Sequence, residues 1–203
     1  MNANIIDKTA RQIVLSRNTQ ETEITCSLNL DGQGKSNIDT GLGMLDHMLA
    51  TFSRHASFDL TVRCQGDLPV DDHHSSEDCA LLLGQALDQV LGERRGIARF
   101  GSAYAPLDEA LARAVVDLSG RPWPAIDLGL RREKVGSWAC ENVTHFFQTL
   151  AMSSRCALHV DILKGENDHH RIEAAFKALA LALGAATRLT GASAIPSTKG
   201  VLS

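Results

Sequence analysis

The 203-residue chain predicts an α/β fold in which one β-β-α-β-α unit is written twice. Three observations predict it. Stretches that alternate apolar and polar residues give way to stretches with apolar residues three and four apart, in the same order in each half. The cluster Asp-His-His-x-x-Glu occurs twice, in "DDHHSSED" at 71–78 and "GENDHHRIE" at 165–173, each time ahead of an apolar helical run. The spacing also keeps register: His145 follows His47 by 98 residues, while Glu173 follows Glu77 by 96.

The elements follow in order. Residues 11–32 alternate and then reach the turn signal Asp31-Gly32, which suggests a strand pair. Residues 44–55 place Met44, Leu45, Met48, Leu49 and Phe52 on one helical stripe, and 58–67 return to period two. Residues 75–94 form a long amphipathic helix with Ser75 or Ser76 as the expected N-cap. The second half repeats the plan with two strands in 100–122, a helix at 141–155, a strand at 157–165 and a long helix at 170–189. The halves are therefore 1–95 and 96–203, fused around one core into a single compact domain, the second ending in a tail.

Composition narrows the function. Hydrophobic residues are 44 % of the chain and aromatics 4 %, so a core of Leu, Ala, Val and Ile is expected. A net charge of −4 offers no footprint for nucleic acid and no basic stripe for a membrane. Five cysteines with no CxxC pair read as reduced thiols, and the N-terminus lacks a leader pattern, so a cytoplasmic location is expected.

Six of the eight histidines fall in the repeat: His47 and His145 from the first helices, His73 and His74, and His169 and His170. Paired imidazoles are poor helix formers and have no capping preference, so ordinary helix-start chemistry does not explain them. Neutral imidazole is the commonest metal ligand, and Glu77 and Glu173 lie one helical turn on. Six His and two Glu divide into two sites of three His and one Glu, which suits Mn²⁺, Fe²⁺ or Co²⁺ better than Zn²⁺. Glu77 is reachable from His73 (i,i+4) and His74 (i,i+3), so spacing leaves the pairing open. Asp72 and Asp168 are either acceptors for imidazole N–H or turn residues. His55 and His159 stand outside the pattern. Two helix starts on one small chain leave a geometric difficulty, which symmetric association of copies would resolve.

The chain resembles the imidazoleglycerol-phosphate dehydratase family of histidine biosynthesis. The resemblance runs through "TGLGMLDHML" (40–49), "GDLPVDDHHSSED" (66–78), "GERRGIARFG" (92–101), "APLDEAL" (105–111), "DLSGRPW" (117–123), "THFFQTLA" (144–151), "GENDHHRIEAAFKALALAL" (165–183) and "PSTKGVLS" (196–203). It implies a ribosomal protein S5 domain 2-like fold, with helices packed between two four-stranded sheets. It further implies a homo-oligomer of 24 subunits, with two Mn²⁺ per active site between subunits and all eight residues above as ligands. The monofunctional form is the one resembled. Met44, Ala56 and Cys79 depart from the family pattern, and none of them is a ligand.

The implied reaction dehydrates D-erythro-imidazole glycerol phosphate to imidazole acetol phosphate. No carbonyl activates the C–H that is lost. A dimetal-bound imidazolate would expel the adjacent hydroxyl through a diazafulvene-like intermediate, because Lewis acids lower the pKa of what they bind. By resemblance Glu21 is the proton-shuttle candidate, with Glu77 and Glu173 as alternatives, and Glu21 and His47 contact substrate. Arg99, Arg121, Ser197, Thr198 and Lys199 follow the family's phosphate contacts, and Asp108 is a weaker ligand-orienting candidate. A dinuclear hydrolase would want a bridging carboxylate that this imidazole-heavy set lacks. A metal-storage protein would leave the arginines and Lys199 unexplained.

Overall fold

The computed structural model describes residues 3–202. In the first half, β1 (Asn4–Lys8), β2 (Gln12–Asn18), β3 (Thr22–Asn29) and β4 (Ser36–Asp39) precede α1 (Gly43–Ala56), β5 (Asp59–Gly66) and α2 (His73–Leu91). In the second, β6 (Phe100–Leu107), β7 (Ala110–Asp117), β8 (Trp123–Asp127) and a small hairpin, β9 (Lys134–Val135) and β10 (Trp138–Ala139), precede α3 (Cys140–Ser153), β11 (Ala157–Lys164) and α4 (Asp168–Thr187).

The repeat is real and carries one more strand than periodicity suggests. The first sheet runs β1-β2-β3-β5-β4 and the second β6-β7-β11-β8. Without β1 the two orders are the same, and each unit is β-β-β-α-β-α. The third strands, β4 and β8, lie parallel to β5 and β11 at the sheet edges. β4 is four residues long and largely exposed, and β8 begins Trp-Pro, so neither shows an alternating apolar signal. β1 makes the first sheet five-stranded where four were implied.

The alternating segments bury one face. Ile13, Leu15, Ile24, Cys26, Leu28, Leu60, Val62 and Cys64 all point into the core from the first sheet. Burial of large aliphatic side chains contributes about 1.5–3 kcal/mol each. The β2–β3 connection is closed by Thr19, whose N–H donates to Thr22 O (2.9 Å) and whose Oγ1 accepts the N–H of Glu21 (3.1 Å).

The helices fill the space between the sheets. α2 lies on β2 and β3, and α4 on β6 and β7, while α1 packs on α4 and α3 on α2. Each helix pair therefore joins the two halves. His47 meets Glu173 near the start of α1 and α4, and Ala56 meets Gly184 toward their ends, so this pair runs parallel. A Cβ on Gly184 would stand 3.0 Å from Ala56 O, tighter than most Cβ contacts, and one on Gly84 would stand 2.9 Å from Leu150 O, closer than Cβ atoms pack. Glycine thus sets the close approach of both pairs. Between them sit Trp138, Phe146, Phe147 and Phe176, with the Phe147 and Phe176 rings 4.7 Å apart.

Both long helices start earlier than their apolar runs. α2 starts at His73, with the His73 N–H bonded to Asp71 Oδ1 (2.8 Å). α4 starts at Asp168, where the Asn167 side chain caps the His169 N–H (2.9 Å). Ser75 and Ser76 are therefore buried inside the helix and not at its cap, and Ser76 Oγ accepts the Trp138 indole N–H (2.9 Å).

Candidate metal centres

The helix pairing brings six of the eight expected ligands into two groups. His47 on α1 meets His169 and Glu173 on α4, and His145 on α3 meets His73 and Glu77 on α2; in each group the ligand atoms lie within 4.8 Å of one another. Each triad thus takes one His from one half and a His-x-x-x-Glu from the other. The open pairing resolves to i,i+4: both spacings share a helix face, but His73 and His169 turn with their Glu toward the partner helix's His, while His74 and His170 turn to Asp67 and Glu109.

The donor spacing fits a metal ion. Glu173 Oε2 is 3.2 Å from His47 Nε2 and 3.4 Å from His169 Nε2. Glu77 Oε1 is 3.1 Å from His145 Nε2, and Glu77 Oε2 is 3.7 Å from His73 Nε2. Donors about 2.1 Å from one ion stand about 3.0 Å apart in an octahedron and about 3.4 Å apart in a tetrahedron. The His73 and His145 rings also stack at 5.0 Å, a like-with-like contact suited to a shared cation. Asn142 Oδ1 lies 2.9 Å from His73 Nδ1, and the Lys177 ammonium lies 2.7 Å from Glu173 Oε1. Burial pushes the Glu173 carboxyl up, but Lys177 and His47 outweigh it and hold it below its ordinary value.

His74 and His170 point elsewhere. Their rings stand at 82° and 88° to those of His73 and His169. His74 Nδ1 meets Asp67 Oδ2 at 3.0 Å, and its Nε2 faces Glu21 Oε1 at 3.7 Å. His170 Nδ1 meets Glu109 Oε2 at 2.7 Å, and its Nε2 faces Asp108 Oδ2 at 3.8 Å. Hydrogen bonds to Asp67 and Glu109 raise both histidines above the usual imidazole range. The N–H of Asn167, the His170 ring and the N–H of Glu166 lower Glu109 to about 2.

Asp72 and Asp168 prove to be anchors and touch no imidazole among the described residues. Asp72 Oδ2 accepts the Ala139 N–H at 2.8 Å. Asp168 Oδ2 accepts the N–H groups of Arg131 (2.9 Å) and Arg132 (2.7 Å), while its Oδ1 accepts from Arg171 (3.0 Å). His159 is exposed on β11, and His55 borders a cleft of about 490 Å³ with Arg11 and Arg188, so both stay outside the triads. The sequence reading missed Asp67, Glu109, Asn142 and Lys177. The signal for the first two was an acid placed at a strand end or turn on the side of the sheet where the helices begin.

The expected phosphate residues gather away from both triads. Arg99 sits in the left-handed region (φ 71°) and grips Asp117 through two bonds of 2.7 and 3.1 Å. Its Nη1 also donates to Pro196 O (2.8 Å), which tethers the tail carrying Ser197, Thr198 and Lys199. The Arg99 N–H bonds to Ala186 O near the end of α4. At 1.5 Å per residue that point lies about 20 Å along α4 from Glu173. Arg121 follows Gly120, whose carbonyl accepts from Arg155 just past the end of α3, about 15 Å beyond His145.

The family model for imidazoleglycerol-phosphate dehydratase matches residues 40–183, which include both triads. A protein of that name from Phytophthora nicotianae is 54% identical over 192 residues, covering 95% of this chain and 42% of that protein. This chain therefore spans less than half of that relative. One from Saccharomyces cerevisiae is 57% identical over 166 residues, covering 82% of this chain and 76% of the relative. The crystal structure of imidazoleglycerol-phosphate dehydratase from Staphylococcus aureus is 39% identical with a TM-score of 0.79, covering 87% of this chain and 99% of that one. No helix among the described residues is long and apolar enough to cross a membrane. With a family model matched over most of its length and relatives this similar, the chain belongs to the imidazoleglycerol-phosphate dehydratase family.

Proposed function

We propose that this chain is a hydro-lyase that converts D-erythro-imidazole glycerol phosphate to imidazole acetol phosphate in cytoplasmic L-histidine biosynthesis. The observation that carries the reading is the pair of His-His-Glu triads, alike in composition and each assembled across the two halves. His47, His169 and Glu173 would hold one Mn²⁺, and His73, His145 and Glu77 the other. Divalent cations there would supply Lewis acidity that lets the substrate ring act as an imidazolate.

The chain's own residues then handle protons and charge. Loss of the neighbouring hydroxyl would leave a diazafulvene-like ring and acidify the next C–H. Glu21, exposed beside His74, would deliver a proton to the departing hydroxyl and take the C–H proton in turn. Glu77 and Glu173 serve as shuttles if one oxygen stays off the metal. The resulting enol tautomerises to the ketone. Arg99, Arg121 and the Ser197–Thr198–Lys199 tail neutralise the phosphate, with Arg99 held in place by Asp117.

A glycerol phosphate is far shorter than the roughly 20 Å along α4 between Glu173 and the residue that Arg99 contacts. That separation and the divergence of His74 and His170 support active sites completed by other copies of the chain, and the family resemblance implies that the homo-oligomer has 24 subunits. The test is turnover after chelation and Mn²⁺ re-addition, with the ketone as readout. Loss of activity in His74→Ala and His170→Ala supports the reading. Full turnover by a preparation without bound transition metal, or release of inorganic phosphate, overturns it.

A further inference from the structure

His74 and His170, the two histidines of the repeated clusters that fall outside the triads, share an arrangement that the reaction does not by itself explain. Each turns Nδ1 onto a carboxylate, Asp67 at 3.0 and 3.2 Å for His74 and Glu109 at 2.7 Å for His170. An ionised carboxylate only accepts, so each ring, when neutral, must carry its proton on Nδ1, leaving Nε2 as a lone-pair donor. We infer that Asp67 and Glu109 are positioning residues that set His74 and His170 in the Nε2-donor tautomer, ready for a divalent cation. The inference rests on the metal reading of these histidines given above.

The two carboxylates do this with different rigidity. Glu109 Oε1 is occupied by the N–H groups of Glu166 (3.2 Å) and Asn167 (2.9 Å) in the loop before α4, so Oε2 alone faces the ring. Both Asp67 oxygens face His74, and neither accepts another hydrogen bond among the described residues. The same amide substitution therefore has opposite effects at the two positions. In Glu109→Gln the carbonyl oxygen is kept by the two backbone donors, so the NH₂ group faces His170 Nδ1. A donor there demands an acceptor, which moves the ring proton to Nε2 and blocks the ligand atom. In Asp67→Asn the amide is free to rotate its carbonyl toward Nδ1, and the tautomer of His74 survives.

The test is solid-state ¹⁵N spectroscopy of histidine-labelled, metal-free full chain, recorded where the imidazoles are neutral and assigned with single His replacements. The wild-type spectrum must show His74 and His170 protonated on Nδ1. Glu109→Gln should convert His170 to the Nε2–H form, while Asp67→Asn should leave His74 unchanged. Mn²⁺ titration of the same samples should show a loss of roughly 10–100-fold in affinity for Glu109→Gln and a smaller loss for Asp67→Asn. Wild-type rings protonated on Nε2, or Glu109→Gln with unchanged tautomer or affinity, overturn the inference. Should the wild type bind no divalent cation while the tautomers are as stated, the metal reading fails and the carboxylate–imidazole geometry stands.

Discussion

Asp168→Asn is the sharpest probe of how α4 is held beneath its ligands. Asp168 is 1 % exposed and receives three donors, the Arg131 and Arg132 N–H groups and the Arg171 guanidinium, itself 5 % exposed. An asparagine keeps one acceptor oxygen and places an NH₂ group against donors on the other side. Either Arg171 or the two backbone donors lose their partner, and a buried charge-assisted bond goes with them. Such losses cost about 2–4 kcal/mol in total. For a chain of this length, unfolding entropy converts that to a fall in Tm of about 5–9 °C. Calorimetry of the metal-free protein is the assay, with Asp72→Asn as control. Among the described residues the Asp72 carboxylate takes only the Ala139 N–H, with Oδ2, which an asparagine carbonyl accepts equally well, so its Tm should fall by far less. Burial alone would raise the Asp168 carboxyl, but the Arg132 and Arg131 N–H groups and Arg171 hold it below 3.8. Its contribution is therefore present above pH 3.8 and lost as pH falls through the lowered value, so the gap between wild type and variant should close in acid. A melting point within 1 °C of wild type at neutral pH, or an equal fall in Asp72→Asn, would refute the argument.

Other perturbations report on neighbouring contacts. Gly84→Ala drives a Cβ onto Leu150 O and the Ser153 side chain; overpacking of this kind costs about 1–3 kcal/mol. It should also spread the His73–Glu77–His145 triad, read as weakened Mn²⁺ binding at full helical content. Trp138→Phe leaves Ser76 Oγ buried without its indole donor, a loss of about 1–3 kcal/mol visible in urea unfolding. In the metal-free chain His74 and His170 should titrate above 6.5 by NMR. Their share of stability is complete below pH 6.5 and disappears as pH rises through the raised values, and Glu109→Ala should return His170 toward 6.5. Chelation followed by Mn²⁺ should abolish and then restore turnover, and Glu77→Ala or Glu173→Ala should prevent the restoration.

Much of this fold and site is written in local patterns. The duplicated halves and their helices follow from periodicity, which depends only on nearby residues, whereas the choice of His73 over His74 and His169 over His170 as the partner of each Glu needed the neighbouring helix in place. Short edge strands such as β4 and β8 escape that logic because neighbours and not alternation hold them. The partnership of α1 with α4 and α2 with α3 is non-local, so nothing near His47 says it meets Glu173 rather than Glu77. The same holds for Asp67 and Glu109, which reach His74 and His170 from strand ends and turns. Spacing showed the resemblance between Asp72 and Asp168, but their role as backbone anchors needed the β10 and Arg131–Arg132 segments in place.

The crossed helix pairing says something about ancestry. Had a half-length polypeptide once paired with its own copy about a two-fold axis, first helix against second helix, both ligand groups would have existed before any gene fusion. Joining the two copies would add no donor atom. It would instead free each half to change separately, and the unlike carboxylates now standing behind His74 and His170 are what such divergence leaves behind.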